Sequence, residues 1–168
     1  MSEQYVLSEA TAARFAREVA KYPADQKQSA VMACLAIVQH EQGYVSRSSE
    51  DAIAAYLGMP TIAVYEVTTF YNMYNQKPVG QFKLNVCTNL PCQLRDGQKA
   101  LEHLCTKLGV EMGGTTADGV FTVQQSECLG ACADAPVMLV NDRQMCSFMS
   151  HQRLDELVDV LRANAVKN

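Results

Sequence analysis

Cys87-Thr88-Asn89-Leu90-Pro91-Cys92 and Cys128-Leu129-Gly130-Ala131-Cys132 are the stretches on which the reading of this chain turns. They form a C-x4-C pair and a C-x3-C pair with 35 residues between them. Four soft thiolates, two on each of two short loops, can ligate zinc or iron. They do so only if the surrounding chain brings the loops together, so the flanking pattern decides the matter.

Phe82, Leu84 and Val86 alternate with Lys83 and Asn85, which predicts a strand running into Cys87. A helix is predicted over 94–108, with Leu94, Leu101, Leu104, Cys105 and Leu108 on one face and Gly109 as its cap. Gly113, Gly114, Asp118 and Gly119 make a loop, and 120–126 reads as a second strand. A third strand is predicted at 136–140, a two-residue hairpin turn at Asn141-Asp142, and a fourth strand at 143–148. Ser150 caps a last helix in which Leu154, Leu157, Val158 and Leu161 follow i, i+3, i+4, i+7. Strand, helix, strand, hairpin and helix in that order make a small α/β domain of the thioredoxin type. A right-handed crossover would set the first two strands parallel, so both cysteine loops would leave one edge of the sheet.

Upstream, the periodicity is helical. Ser8 caps a first helix that Pro23 stops near Tyr22, and a second is predicted over 24–42 with Gly43 as its end. Ser48 and Ser49 open a third helix that closes at Gly58. The stretch 60–74 has strand-like Thr, Ile and Val, yet Pro60 suits a first turn and Ile62, Tyr65, Thr69 and Met73 recur at helical spacing, so it is read as a helix. The aromatics Tyr65, Phe70, Tyr71 and Tyr74 suit a partner-docking face or packing between the two halves of the chain. With the turn-rich residues 75–80 as a boundary, the expected layout is a helical docking domain over 1–76 and a thioredoxin-like domain over 77–168.

The 168 residues carry 48% hydrophobic side chains and a net charge of -4, with no Lys/Arg run. A packed core is expected, and a nucleic-acid partner is not. Met1 to Val6 lacks the basic and apolar regions of a targeting segment, and the apolar run 30–38 is too short to span a bilayer. Seven cysteines without an export signal read as thiols or metal ligands in a cytoplasmic protein. Cys34 and Cys105 fall on apolar helix stripes and Cys146 in a strand, all packing positions.

The wider x4 and x3 spacings, without His in either loop, favour a 2Fe-2S cluster over zinc, with Cys87 and Cys92 on one iron and Cys128 and Cys132 on the other; zinc stays open. Cys92 at a helix start and Gly130 in the second loop are expected to offer backbone N–H groups to the sulfurs. No C-x-x-C, G-x-G-x-x-G, P-loop or triad spacing is present, which points to electron movement without bond chemistry.

The two cysteine motifs, extended to Gln93-Leu94-Arg95 and Glu127, together with Ala135-Pro136-Val137-Met138 and Tyr65-Glu66-Val67-Thr68-Thr69-Phe70-Tyr71, closely resemble the thioredoxin-like 2Fe-2S subunit of NADH:quinone oxidoreductase, in the peripheral arm of respiratory complex I. The resemblance implies an α/β fold, a helical bundle followed by a thioredoxin-like 2Fe-2S ferredoxin domain with a four-stranded mixed sheet and flanking helices. It implies one 2Fe-2S cluster on Cys87, Cys92, Cys128 and Cys132. The partners it implies are a flavoprotein subunit that holds FMN and binds NADH, and other peripheral-arm subunits. The cluster would exchange an electron with that flavin and hold it temporarily. The chain would have no catalytic residue of its own and no direct membrane insertion, lying on the cytoplasmic membrane through the complex. Pro136 matches a cis-proline position, while 143–148 departs from the acidic, Tyr-containing segment of many relatives. The equivalent subunit of an NAD-linked hydrogenase or formate dehydrogenase is the near alternative. A ferredoxin acting alone and a zinc-stabilised interaction module are alternatives of other classes.

Overall fold

The computed structural model describes residues 4–166. The chain divides into two compact units after Pro78.

In the first unit, α1 (Glu9–Val19) starts where the Ser8 hydroxyl accepts the Thr11 N–H at 3.1 Å. It stops before Tyr22, and the chain turns with the Gln26 N–H on the Pro23 carbonyl. The second helix begins later than expected. Residues 24–29 are all exposed, so no helical face has anything to pack against, and only a 3-10 turn forms at Lys27–Ala30. Burial begins at Ala30, and α2 (Val31–Gln42) runs from there to Gly43, whose φ of +80° needs glycine. The third helix, α3 (Arg47–Leu57), starts earlier than predicted because Ser46 supplies the cap, accepting the Ser49 N–H at 3.2 Å. Pro60 then leads into α4 (Thr61–Phe70). Phe15, Leu35, Val38, Ile53, Leu57 and Val64 form the core, and Phe15 meets Tyr56 edge-on at 5.2 Å.

The stripe predicted on α4 is the wrong one. The helix buries Val64 and Thr68, while Ile62, Thr69 and Met73 are exposed. Both rows have helical spacing and apolar members, so periodicity alone could not choose between them. The four aromatics do not make one face either. Tyr74 is buried with its hydroxyl donating to the Met32 carbonyl at 2.9 Å, and Tyr65 lies 3.4 Å beneath the Arg47 guanidinium. Phe70 and Tyr71 remain as an exposed edge-to-face pair.

The second unit is a four-stranded sheet of order β2-β1-β3-β4, with β1 at Phe82–Cys87, β2 at Phe121–Ser126, β3 at Met138–Val140 and β4 at Gln144–Cys146. β1 and β2 are parallel, in register from Phe82 opposite Phe121 to Cys87 opposite Ser126. The β1–β3 and β3–β4 pairings are antiparallel. Three helices follow the sequence order: α5 (Leu90–Gln93), α6 (Gly97–Leu108) and α7 (His151–Ala163). Leu84, Val86, Leu101, Leu104, Phe121, Val123, Met138, Leu154 and Val158 form one core. His103 is half-buried between α6 and α7, 2.8 Å from Asp155 and stacked on His151 at 4.2 Å.

Asn141 and Asp142 form the predicted hairpin turn with φ of +52° and +55°. The turn also folds back on β1. Asn141 accepts the Lys83 N–H at 2.7 Å, and the Asp142 carboxylate takes the Lys83 ammonium at 2.5 Å and the Asn85 amide on its other oxygen. Lys83 and Asn85 are therefore buried, although alternation would place them on a solvated face.

The loop after α6 covers the β2 edge, with Gly113 donating to Val123 at 2.7 Å and Thr116 to Phe121 at 2.8 Å. In that loop the Thr116 hydroxyl, the Val120 N–H and the Arg162 guanidinium hold Asp118 below the usual carboxylate range. A depressed carboxylate contributes stability above its unfolded pKa and loses it as pH falls through the folded value. Asp118→Asn should therefore lower the urea midpoint at neutral pH, and the gap to the parent chain should close on acidification. An unchanged gap at acid pH would refute this. Among the described residues no helix is long and apolar enough to cross a membrane.

Candidate metal centre

Cys87 is the last residue of β1, and Cys128 follows the end of β2 by two residues. Because these strands are parallel and in register, both cysteine loops leave the same sheet edge. The loops are then tied together. Thr88 N–H donates to the Ser126 carbonyl at 3.2 Å, and the Asn89 amide to Glu127 at 2.8 Å. Beneath them Cys87, Cys92, Ala135 and Val137 form a small buried nucleus, with Leu129 and Ala131 packed against it. Residues lying between Cys128 and Cys132 thus rest on the first cysteine pair.

The two pairs differ in setting. Cys87 and Cys92 are buried, whereas Cys128 and Cys132 are exposed with their sulfurs 3.5 Å apart. Burial, foremost, pushes the Cys92 thiol up to about 11, the Val137 N–H that it accepts works the other way, and Cys87 and Cys132 push it up further. The Cys132 thiol is raised first by Cys128 beside it, then by desolvation, with Cys87 adding to it. Neighbouring thiols raise Cys92 and Cys132 because thiolate anions repel, and a metal's positive charge relieves that repulsion. The donor set therefore fits a metal. Among the described residues no group of three or more His, Cys, Asp or Glu side chains is placed to hold a metal ion.

The remaining cysteines behave as packing residues. Cys34 lies in the first core, where burial pushes its thiol up to about 12, and Cys105 and Cys146 pack on the second core with thiols raised by burial. Pro136 follows a cis peptide bond, as expected. The helix predicted from Leu94 starts later, as α6 at Gly97. The single turn α5 that precedes it, opened by Asn89 accepting the Leu90 N–H, ends at Gln93, before Asp96, which has a φ of +66°. Cys92 therefore sits in one short turn without the dipole of a long helix, and Leu94 is 78% exposed. Gly130 takes a φ of +78°, so the turn itself asks for glycine.

The segment 143–148 bears on the site through its end. Ser147 donates to the Asp134 carboxylate at 3.1 Å and Phe148 N–H to the Asp134 carbonyl at 2.8 Å, which anchors the backbone just beyond Cys132. A cavity of about 610 Å³ lies alongside, lined by Arg95, Lys99, Pro136, Phe148 and His151 among others, and none of the four cysteines faces it. Asn89, Glu127 and Val137 stand in the motifs that carry the resemblance without a role of their own. A polar residue within two positions of each strand's end was the available signal for the first two.

A family model described as thioredoxin-like [2Fe-2S] ferredoxin matches residues 15–162. The chain belongs to this family. Among the relatives of this thioredoxin-like [2Fe-2S] ferredoxin is a subunit of the NADH-quinone oxidoreductase of Rhizobium meliloti, 41% identical over 86% of this chain and 84% of the relative. NADH-quinone oxidoreductase subunit 2 of Thermus thermophilus is 38% identical over 86% of this chain and 80% of the relative. The crystal structure of an NAD+-reducing [NiFe]-hydrogenase in the H2-reduced state shares the fold, with a TM-score of 0.68 at 19% identity, over 82% of this chain and 23% of that one.

Proposed function

We propose that this thioredoxin-like ferredoxin is the electron-transfer subunit of NADH:quinone oxidoreductase, holding one 2Fe-2S cluster on Cys87, Cys92, Cys128 and Cys132. The observation that carries this is the meeting of both cysteine loops at the same ends of two parallel strands, in a chain 41% identical to a subunit of that enzyme. When bound, a 2Fe-2S cluster supplies a one-electron redox centre whose potential follows its hydrogen bonds and exposure. Cys87 and Cys92 would hold its inner side in the apolar nucleus, beside Val137. Cys128 and Cys132 would hold its outer side at the surface, open to a partner.

That partner is the flavoprotein subunit carrying FMN and binding NADH, within the peripheral arm on the cytoplasmic side of the membrane. The helical unit, predicted as 1–76, serves to dock the chain. The equivalent subunit of an NAD-linked hydrogenase is the second reading, favoured by the fold shared with the NAD+-reducing [NiFe]-hydrogenase.

Anaerobic purification of the native assembly tests both. About two irons per chain and an EPR signal on reduction are expected, in a complex that oxidises NADH and reduces quinone. Co-purification with a hydrogen-oxidising subunit would favour the second reading. A colourless, EPR-silent chain holding zinc would sink the cluster assignment.

A further inference from the structure

Gly97 opens α6 and is buried where the chain resumes after Asp96. A Cβ at this position would lie 2.8 Å from the Cys87 carbonyl oxygen, 2.8 Å from the Cys92 carbonyl oxygen and 2.9 Å from the Cys92 carbonyl carbon. All three are backbone atoms, so no side chain can swing aside. Helix propensity gives no reason for glycine at a helix start, and Gly97 is not among the glycines with positive φ. Gly130 is the opposite case, with a φ of +78° and nothing within 4 Å of the space its Cβ would fill. Space alone demands glycine at Gly97.

We infer that Gly97 is a positioning residue for the Cys87/Cys92 pair. Its bare Cα is the wedge on which the end of β1 and the α5 turn close, and this sets the distance between the backbones that carry the two thiols. The inference rests on the cluster assignment proposed above. A methyl group at position 97 forces the Cys87 and Cys92 carbonyls apart, and the two sulfurs move with them. The exposed Cys128/Cys132 pair hangs from other backbone and stays in place.

Gly80 provides a matched control. A Cβ there would lie 2.8 Å from the Phe121 carbonyl carbon and 2.9 Å from the Phe121 nitrogen, an equal clash at the opposite end of β1 from Cys87. Gly97→Ala and Gly80→Ala should be made in the full chain, loaded with iron and sulfide without oxygen, and compared by EPR of the reduced protein and by iron release to a chelator. The expected result is an altered EPR line shape and iron release faster by about ten-fold or more in Gly97→Ala. Gly80→Ala should melt lower but keep the parent line shape and release rate. Parent-like EPR and release in Gly97→Ala would overturn the inference while leaving the cluster assignment standing. A parent chain that takes up no iron would overturn the assignment itself. Should Gly97→Ala not fold, amide exchange at Gly97 in the parent chain supplies the second reading. Loading the cluster should slow that exchange by about ten-fold or more, and equal exchange with and without the cluster would overturn the role.

Discussion

Cys87→Ser, Cys92→Ser, Cys128→Ser and Cys132→Ser should each leave less than about a tenth of the parent iron, because a lost ligand outweighs the loss of any outer contact. Cys34→Ala, Cys105→Ala and Cys146→Ser should keep all of it. The division follows from where the side chains sit. Cys87 and Cys92 belong to a small nucleus on which the loop carrying Cys128 and Cys132 packs through Leu129 and Ala131, while the other three belong to the two main cores. Alanine is the right probe at Cys34, which is fully enclosed, since a serine hydroxyl there would add an unsatisfied group costing about 1–3 kcal/mol. Iron and acid-labile sulfide per chain are the measurements. Full iron in any of the first four variants would remove that residue from the ligand set.

Asp142→Ala should destabilise the second unit by about 3–5 kcal/mol, the range for removing one partner of a buried ion pair. The Lys83 side chain is 2% exposed and meets Asp142, itself 29% exposed, while Asn85 donates to the other carboxylate oxygen. Removing the carboxylate takes the Asp142 partner from the buried Lys83 ammonium and the Asp142 acceptor from the Asn85 amide. Lys83→Met should cost far less, because the remaining carboxylate still reaches water and the methionine stem fills the same channel. Chemical denaturation of the loaded full chain separates the two outcomes. Equal losses for both variants would mean that the pair is held by packing and that charge burial is not the cause.

The strands and their ends were legible in the sequence because alternation stops where the cysteines begin, at Cys87 and again just before Cys128. Parallel pairing then followed from chain handedness, and with it the meeting of the two loops. What was hidden lay where two patterns overlap. Leu94 continues the apolar stripe of α6, so the break at Asp96 and Gly97 looked like helix, and the close backbone contact there leaves no mark in residue chemistry. On α4 two apolar rows compete, and only the surrounding helices decide that Val64 and Thr68 turn inward. Lys83 and Asn85 looked like a wet face because nothing local announces that Asp142 folds back over them.

The parallel register of β1 and β2 also sets an order of events in the life of the chain. Phe82 pairs with Phe121 and Cys87 with Ser126, with the whole of α6 lying between the partners in sequence. No short segment leaving the ribosome can present more than one sulfur pair, since the second pair reaches the first only after this long-range pairing has closed. Under the cluster assignment proposed above, iron and sulfide would enter a chain whose β1–β2 pairing has already closed, from its exposed Cys128/Cys132 side.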